Sequence, residues 1–183
     1  MVQKSDLKWQ EQLMQDLYEK EAVPCEDFEE SLRYATKDIA KIYTDTIIRL
    51  YVNGESPEDI VKQDGIVLAT VKLRTDKFRR LMRRPYREEI MRNGLTHWIE
   101  KKKSIQGMSM EEKRKLTVDD FEFSQRLYFT LRRNYIKTVG DILDVGQTRV
   151  LHMFGYSQYR ELCLFLNSIE IGVPFDGKRD ICV

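Results

Sequence analysis

The spacing of apolar residues is the feature of this sequence that most constrains its fold. Between residues 27 and 52, apolar side chains recur mainly every three or four positions, which places them on one face of an α-helix. The same helical spacing is found near the N-terminus, at Leu7, Leu13, Met14 and Leu17, and again in the C-terminal third. Pro and Gly residues separate these segments. The sequence therefore predicts an all-α fold made of short helices.

Helix boundaries are marked clearly between residues 56 and 84. Ser56 is a good N-cap, Pro57 suits the first helical position, and Asp59 completes an acidic variant of the capping box. Gly65 stands where a C-terminal cap would end this short helix, and a longer basic helix follows, up to Pro85. This is the spacing of a helix-turn-helix, although a helical hairpin with a solvated cationic face has the same pattern. The stripe expected to face inward is Val71, Thr75, Phe78 and Met82.

Charge is distributed unevenly along the chain, although the net charge is only +1. Residues 1–65 hold 8 Lys and Arg against 15 Asp and Glu, whereas residues 66–103 hold 12 against 4. The basic block indicates either an anion-binding surface or a merely solvated face. If the long helix enters a DNA major groove, the cations that can reach flanking phosphates are Lys72, Lys77, Arg79, Arg80, Arg83 and Arg84.

Residues 44–84 resemble the promoter-reading fourth region of bacterial sigma factors. The stretch "GESPEDIVKQDGIVLATVKLR" has that family's order of small-residue turn, short helix, Gly-Ile turn and recognition helix. The resemblance implies that the residues facing the bases are Leu68, Ala69, Lys72 and Leu73. Three of these four side chains are apolar, so they can contact thymine methyl groups but cannot read guanine. Phosphate binding is therefore expected here rather than strong sequence selection.

Two glycine-containing turns lead into helices in the C-terminal third. Thr138 and Asp141 form a capping-box pattern around Gly140, and Gly155 introduces the last predicted helix. A glycine turn at a helix N-terminus can hold a phosphate, as it does in helix-hairpin-helix units. The glycines could equally serve only to let four short helices pack closely, and spacing leaves both alternatives open.

Residues 116–175 resemble the C-terminal domain of the bacterial RNA polymerase alpha subunit. The matching positions, in order, are Val118-Asp119-Asp120, Glu122, Arg126, Leu131, Ile136, Val139-Gly140-Asp141, Gly155, Glu161 and Gly172-Val173-Pro174-Phe175. In that family the domain binds the minor groove of upstream promoter DNA and also contacts sigma and activators. The resemblance implies a helix-hairpin-helix module with the same two kinds of contact.

The resemblance also assigns roles to individual residues. Arg126 corresponds to the arginine that enters the minor groove, and Gly155 to the backbone grip. Phe129 stands where the family has a groove-lining asparagine, and it would instead pack against another protein surface. Additional DNA-contacting positions are expected at Arg132, Arg133, Ser157 and Gln158, with Lys137 adding nearby positive charge. The acidic patch that faces sigma corresponds to Asp119, Asp120 and Glu122.

Two domains are expected. Residues 1–106 form an N-terminal helical domain with the helix-turn-helix at 44–84, and residues 107–183 form the domain that resembles the polymerase alpha subunit; "KKKSIQGMSMEEKRK" is interpreted as a polar linker. This combination predicts a DNA-binding transcription regulator of bacterial or phage promoters, with double-stranded DNA as partner. The alternative is a protein-interaction module that binds RNA polymerase or sigma factor without specific DNA binding, which the acidic first 65 residues favour.

Several other classes are not expected. Cys25, Cys163 and Cys182 are odd in number and widely separated, and His97 and His152 are far apart, so neither disulfides, a metal nor another cofactor is expected. Clustered carboxylates, a nucleophile with its base and a phosphate loop are missing from the sequence, so catalysis is not expected. The sequence has no apolar run near the roughly 20 residues that span a bilayer and no signal-like start, which predicts a cytoplasmic protein.

Overall fold

The chain is mainly helical in the part described by the computed structural model, which covers residues 4–18, 23–145 and 147–172. These residues contain no strand, only an isolated antiparallel bridge between Thr117 and Thr138, and the expected all-α fold is confirmed. The helices are α1 (Lys4–Tyr18), α2 (Phe28–Ala35), α3 (Lys41–Ile47), α4 (Pro57–Asp64), α5 (Leu68–Met82), α6 (Pro85–Asn93), α7 (Leu95–Gln106), α8 (Met110–Lys115), α9 (Gln125–Arg133), α10 (Val139–Asp144), α11 (Gln147–Met153) and α12 (Tyr156–Ser168). A π-helical turn, Ile48–Val52, continues α3, and a 3₁₀ turn, Val118–Asp120, precedes α9.

The chain divides into two compact units, Met1–Ile99 and Glu100–Val183, which we call the N-terminal and C-terminal units. The sequence-based boundary lay further along, near Gly107. Each unit has its own core of buried apolar side chains.

The stretch interpreted as a polar linker is helical, so that interpretation is wrong. α7 extends to Gln106, and its Ile105 is buried in the core of the C-terminal unit. Ser109 then caps α8: its hydroxyl accepts from the backbone N–H of Glu112, whose carboxylate accepts from the backbone N–H of Ser109 at 2.8 Å. Local capping and one buried apolar residue thus make helices of a sequence whose composition resembles a linker.

The N-terminal unit places the outer face of α5 in solvent by burying the opposite face. The predicted stripe of Val71, Thr75, Phe78 and Met82 is buried, as expected. The capping box of Ser56 and Asp59 is present at the start of α4, and Gly65 ends that helix in the left-handed conformation, with φ of 64°. α5 packs against α3 and α4. The core around it includes Leu13, Met14, Leu17, Phe28, Ile47, Tyr86, Ile90, Met91 and Trp98.

The C-terminal unit is held together by contacts of α8 with α10, and of α12 with both α9 and α11. Ser124 caps α9 by accepting a hydrogen bond from the backbone N–H of Leu127. Leu127 and Leu131 then point inward, so the opposite face of α9 is left in solvent. Their partners in the core include Val118, Phe121, Phe123, Ile136, Val139, Ile142, Leu162, Cys163 and Leu166.

Candidate nucleic-acid interface

The first half of α5 carries the four residues predicted to face bases. Leu68, Ala69, Lys72 and Leu73 are all exposed, with Leu68 at 52% and Leu73 at 66% of their full accessibility. Val67, just before the helix, is 65% exposed. This surface is therefore mainly apolar, with Lys72 as its cation.

The arginines in the second half of α5 differ from one another in what they contact. Arg79 lies 3.8 Å from the carboxylate of Asp16 and 3.6 Å from that of Asp76, and it is half-buried. The Nε of Arg83 donates to the backbone carbonyl of Leu17 at 3.0 Å. Both residues therefore contact other parts of the N-terminal unit, and their contact with phosphates remains a prediction.

No ion pair with a residue in the described part of the chain is formed by three cations of α5, Lys72, Lys77 and Arg80. Lys72 and Arg80 are exposed, and Lys77 is half-buried. Arg80 lies beside Leu73 and Lys77 along a shallow groove that Tyr43 of α3 also lines. The positive surface of α5 is thus smaller than the basic block of the sequence suggests.

A cluster of ion pairs fixes α4 against α5. Arg49 donates to Glu55 and to Asp64, each at 2.7 Å, and Asp64 also accepts from Arg74 of α5 at 3.2 Å. The hydrogen bond from Arg49 lowers the pKa of Asp64 below its ordinary value. The sequence alone does not reveal this cluster, because a separation of 15 residues between Arg49 and Asp64 has no local signature.

The outer face of α9 carries Arg126, Phe129 and Arg133, which follow one another at intervals of three and four residues. All three are exposed, and Phe129 retains 52% of its accessibility. Neither Arg126 nor Arg133 forms an ion pair with any residue that the structure describes. Arg132 differs, because its Nη1 lies 3.4 Å from the carboxylate of Asp119. Two of the three predicted arginines of α9 are therefore uncompensated.

Gln158 joins α12 to α9 and is not a surface residue. Its side chain is 5% exposed, and its amide nitrogen donates to the carbonyl of Arg126 at 3.1 Å and to the hydroxyl of Thr130 at 2.7 Å. Its amide oxygen accepts from the backbone N–H of Gly155 at 3.3 Å. The side chain predicted to contact DNA is therefore buried and hydrogen-bonded within the unit, and the backbone N–H of Gly155 already has a partner. Ser157, beside them, is exposed.

The other glycine turn is closed by its own carboxylate. Asp141 accepts from the backbone N–H groups of Lys137 at 2.8 Å and Thr138 at 2.9 Å, and these hydrogen bonds lower its pKa. Gly140 lies so close to α8 that an added Cβ would be 3.0 Å from the carbonyl oxygen of Arg114. At this turn the close-packing alternative applies, and a phosphate would meet a carboxylate instead of free N–H groups.

The predicted acidic patch is neutralised within the C-terminal unit. Asp119 accepts from the hydroxyl of Tyr128 at 2.8 Å in addition to its contact with Arg132. The remaining ion pairs are Lys101 with Asp120 at 3.0 Å and Lys102 with Glu122 at 2.7 Å. Burial acts to raise the pKa of Asp120, but the hydrogen bonds from Thr117 and Lys101 together have the larger effect. The pKa of Asp120 is therefore lower than its ordinary value. This patch offers a partner little uncompensated negative charge.

Comparison with known proteins adds no relative to this description. The chain matches no protein-family model, no curated protein and no solved structure. Within the described residues, no three His, Cys, Asp or Glu side chains are grouped as a metal site would require. None of the helices in the described part of the chain is both long enough and apolar enough to cross a bilayer.

Proposed function

We propose that the chain is a DNA-binding transcription regulator that contacts duplex DNA at α5 and at α9. The observation that carries this proposal is the pair of exposed, uncompensated arginines on the outer face of α9, Arg126 and Arg133. DNA presents a dense row of phosphates, and cations that neutralise them release counterions, which supplies much of the binding free energy.

Arg126 and Arg133 contrast with six other cations of the C-terminal unit, whereas Lys103, Lys137, Arg149 and Arg160 likewise form no ion pair with a described residue. The six that form ion pairs with carboxylates are Lys101, Lys102, Lys113, Arg114, Lys115 and Arg132. Arg126 and Arg133 lie on the same solvent-exposed face of α9. This placement contributes little to the stability of the unit, because exposed charges stabilise a fold only weakly. An anionic partner gives that arrangement a use.

The N-terminal unit would contribute a helix-turn-helix formed by α4 and α5. The short α4, the left-handed Gly65 and the exposed first half of α5 fit a recognition helix presented to a major groove. Lys72 and Arg80 would contact phosphates, while Leu68 and Leu73 would contact thymine methyl groups. Such a surface binds DNA with little discrimination between sequences.

The place of action follows from the two sequence resemblances. Residues 44–84 resemble sigma region 4, and residues 116–175 resemble the C-terminal domain of the polymerase alpha subunit. These two families act on neighbouring parts of a bacterial promoter. We therefore assign the protein to bacterial or phage promoters in the cytoplasm, with a helix-hairpin-helix module in the C-terminal unit. We propose no catalytic role.

Binding of labelled duplexes by fluorescence anisotropy tests this function. The double variant Lys72→Ala/Arg80→Ala should weaken binding to unrelated duplexes by similar factors, because phosphate contacts carry no sequence information. Arg114→Ala is the matched control: it removes a partly exposed arginine that is already paired with Asp144 at 2.7 Å, and it should leave binding nearly unchanged. Equal effects of the control and the double variant would count against contact through α5.

A second candidate is supported by the apolar character of the α5 surface. Val67, Leu68 and Leu73 are each more than half exposed, and together they suit a protein partner as well as DNA. In this alternative the protein binds RNA polymerase or sigma factor and modulates transcription without specific DNA binding. Co-purification with polymerase that survives high salt, and that is lost in Leu68→Asp/Leu73→Asp, would favour this function over the first.

A further inference from the structure

Phe129 is an exposed phenyl ring at the centre of the cationic face of α9. Phe121, Phe123 and Phe154 of the same unit are buried, whereas Phe129 keeps 52% of its accessibility. Arg126 precedes it by about 4.5 Å along the helix axis and Arg133 follows it by about 6 Å, from the rise of an α-helix. Phe129 is thus an exposed apolar ring between two arginines that form no ion pair with a described residue.

The ring of Phe129 is held by a chain of contacts. It meets the ring of Tyr128 edge-on, with centroids 5.7 Å apart. The hydroxyl of Tyr128 donates to Asp119 at 2.8 Å, and Asp119 is in turn 3.4 Å from Arg132. The predicted acidic residue Asp119 thus supports the aromatic pair. A side chain braced in this way loses less conformational entropy when a partner covers it.

The backbone beneath Phe129 is fixed as well. Gln158 donates to the carbonyl of Arg126 and to the hydroxyl of Thr130. These two hydrogen bonds join the segment of α9 that contains Phe129 to α12. The ring of Phe129 therefore projects from a helix whose backbone is held in place.

The charges of Arg126 and Arg133 indicate what kind of partner covers Phe129. An apolar protein surface would bury Arg126 and Arg133 without compensation, which is costly, whereas a nucleic-acid duplex supplies phosphates on both sides of an apolar stack of bases. Proteins that bind the minor groove commonly insert a Phe, Leu, Ile or Met between two base pairs while arginines contact the groove. We propose that Phe129 is such a wedge: it inserts at one base step of duplex DNA and kinks it, with Arg126 and Arg133 on the flanking phosphates.

This inference rests on the proposed DNA-binding function and adds a source of selectivity to it. Unstacking a base step costs a few kcal/mol, and the cost is lowest at the flexible pyrimidine–purine steps TA and CA/TG. Selection by deformability needs no hydrogen bond to a base. It suits a protein whose exposed residues on α5 are mainly apolar and read few bases.

The test uses the full chain and duplexes that carry 2-aminopurine at a central TA step and dyes at both ends. We expect binding of the unaltered protein to raise the 2-aminopurine fluorescence and to shorten the end-to-end distance measured by energy transfer. Phe129→Ala should abolish both signals while it retains binding within about tenfold, because the phosphate contacts remain. Phe129→Leu, which keeps an apolar wedge, should retain part of both signals. Circular dichroism and urea unfolding check that both variants stay folded.

The possible failures separate the two proposals. If the unaltered protein binds duplexes but neither signal appears, or if Phe129→Ala gives the same signals, the wedge is overturned and DNA binding stands. If the unaltered protein binds no duplex at any salt concentration, both proposals fail. If Phe129→Ala abolishes capture of RNA polymerase and leaves DNA binding and bending unchanged, the ring contacts a protein and the wedge is likewise overturned.

Discussion

At the scale of single residues, Gly94 and Asp27 together fix the start of α7. Gly94 has φ of 90° and ψ of 158°, a conformation that side chains with a Cβ rarely adopt, and an added Cβ would lie against the Asp27 carboxylate. That carboxylate accepts from the backbone N–H of Thr96 at 3.1 Å, across 69 residues of sequence. The sequence does not reveal this pairing, because no local pattern connects residues so far apart.

Gly94→Ala should destabilise the N-terminal unit severely. The backbone conformation alone costs about 1–3 kcal/mol for a residue other than glycine, and the displaced Asp27 would lose its hydrogen bonds at a further cost of about 1–3 kcal/mol. Trp9 and Trp98, the two tryptophans of the chain, lie in this unit and report its unfolding by urea.

Gly54→Ala is the matched control for this prediction. Gly54 also has a positive φ, of 67°, but nothing lies within 4 Å of an added Cβ. Only the backbone term of about 1–2 kcal/mol then applies. Equal losses in the two variants would show that contact with Asp27 contributes nothing at Gly94.

Asp141 gives the C-terminal unit an acid-sensitive contribution to stability. Its pKa is lowered from the ordinary 3.8 by hydrogen bonds from backbone N–H groups, so the charged carboxylate is bound more favourably in the folded state. This contribution is fully present above pH 3.8 and is lost as the pH falls through the lowered pKa. Asp141→Asn should therefore lower stability near neutral pH and flatten its decline in acid.

Urea unfolding followed by circular dichroism between pH 2.5 and 7 measures this effect, a range chosen to span the titration of carboxyl groups at roughly pH 4. Asp144→Asn, on the same helix, is the comparison, because its exposed carboxylate pairs with Arg114 instead of backbone N–H groups. It should change the acid slope less than Asp141→Asn does. The same slope in Asp141→Asn and in the unaltered protein would mean that this carboxylate does not close the turn.

At the scale of helices, the sequence predicts best where the signal is local. The Ser56–Asp59 and Thr138–Asp141 capping boxes, the Gly65 end of α4 and the buried stripe of α5 all depend on residues within a few positions of one another. The capping box at Ser109 and Glu112 is equally local, but the polar composition around it led to the wrong linker interpretation. Composition is a weaker indicator than capping when a stretch is both charged and rich in helix formers.

The junction of α9 and α12 was not predictable, because a buried glutamine and an exposed one look alike in sequence. Gln158→Ala would leave the Gly155 N–H, the Arg126 carbonyl and the Thr130 hydroxyl without their partner. A buried polar group that loses its partner costs about 1–3 kcal/mol, and we expect at least that loss in the C-terminal unit.

Urea unfolding followed by circular dichroism measures this loss. Ser157→Ala, one residue away and exposed, should change stability by less than about 0.5 kcal/mol. If Gln158→Ala is as stable as Ser157→Ala while it weakens DNA binding, the residue contacts DNA as the sequence resemblance implies, and our description of the junction is wrong.

At the scale of the whole chain, the basic block of residues 66–103 shows what a count of charged residues can predict about a binding surface. The count drew attention to these residues, but α1 residues Asp16 and Leu17 contact Arg79 and Arg83 from more than 60 residues away. The uncompensated arginines that carry the proposed function lie outside that block, on α9. Which cations stay free is decided by tertiary contacts: the sequence named Arg126 and Arg133, but it could not separate them from Arg132, which pairs with Asp119.

The measurement that tests the central claim most directly is the salt dependence of duplex binding by the unaltered protein and by Arg126→Ala/Arg133→Ala. If both arginines contact phosphates, the plot of log K against log salt concentration is steep, and the double variant lowers its slope by about 2. Arg132→Ala, which removes an arginine already paired with Asp119, should lower the slope by less than about 1. An unchanged slope in the double variant, or binding to DNA that does not depend on salt, would contradict the account.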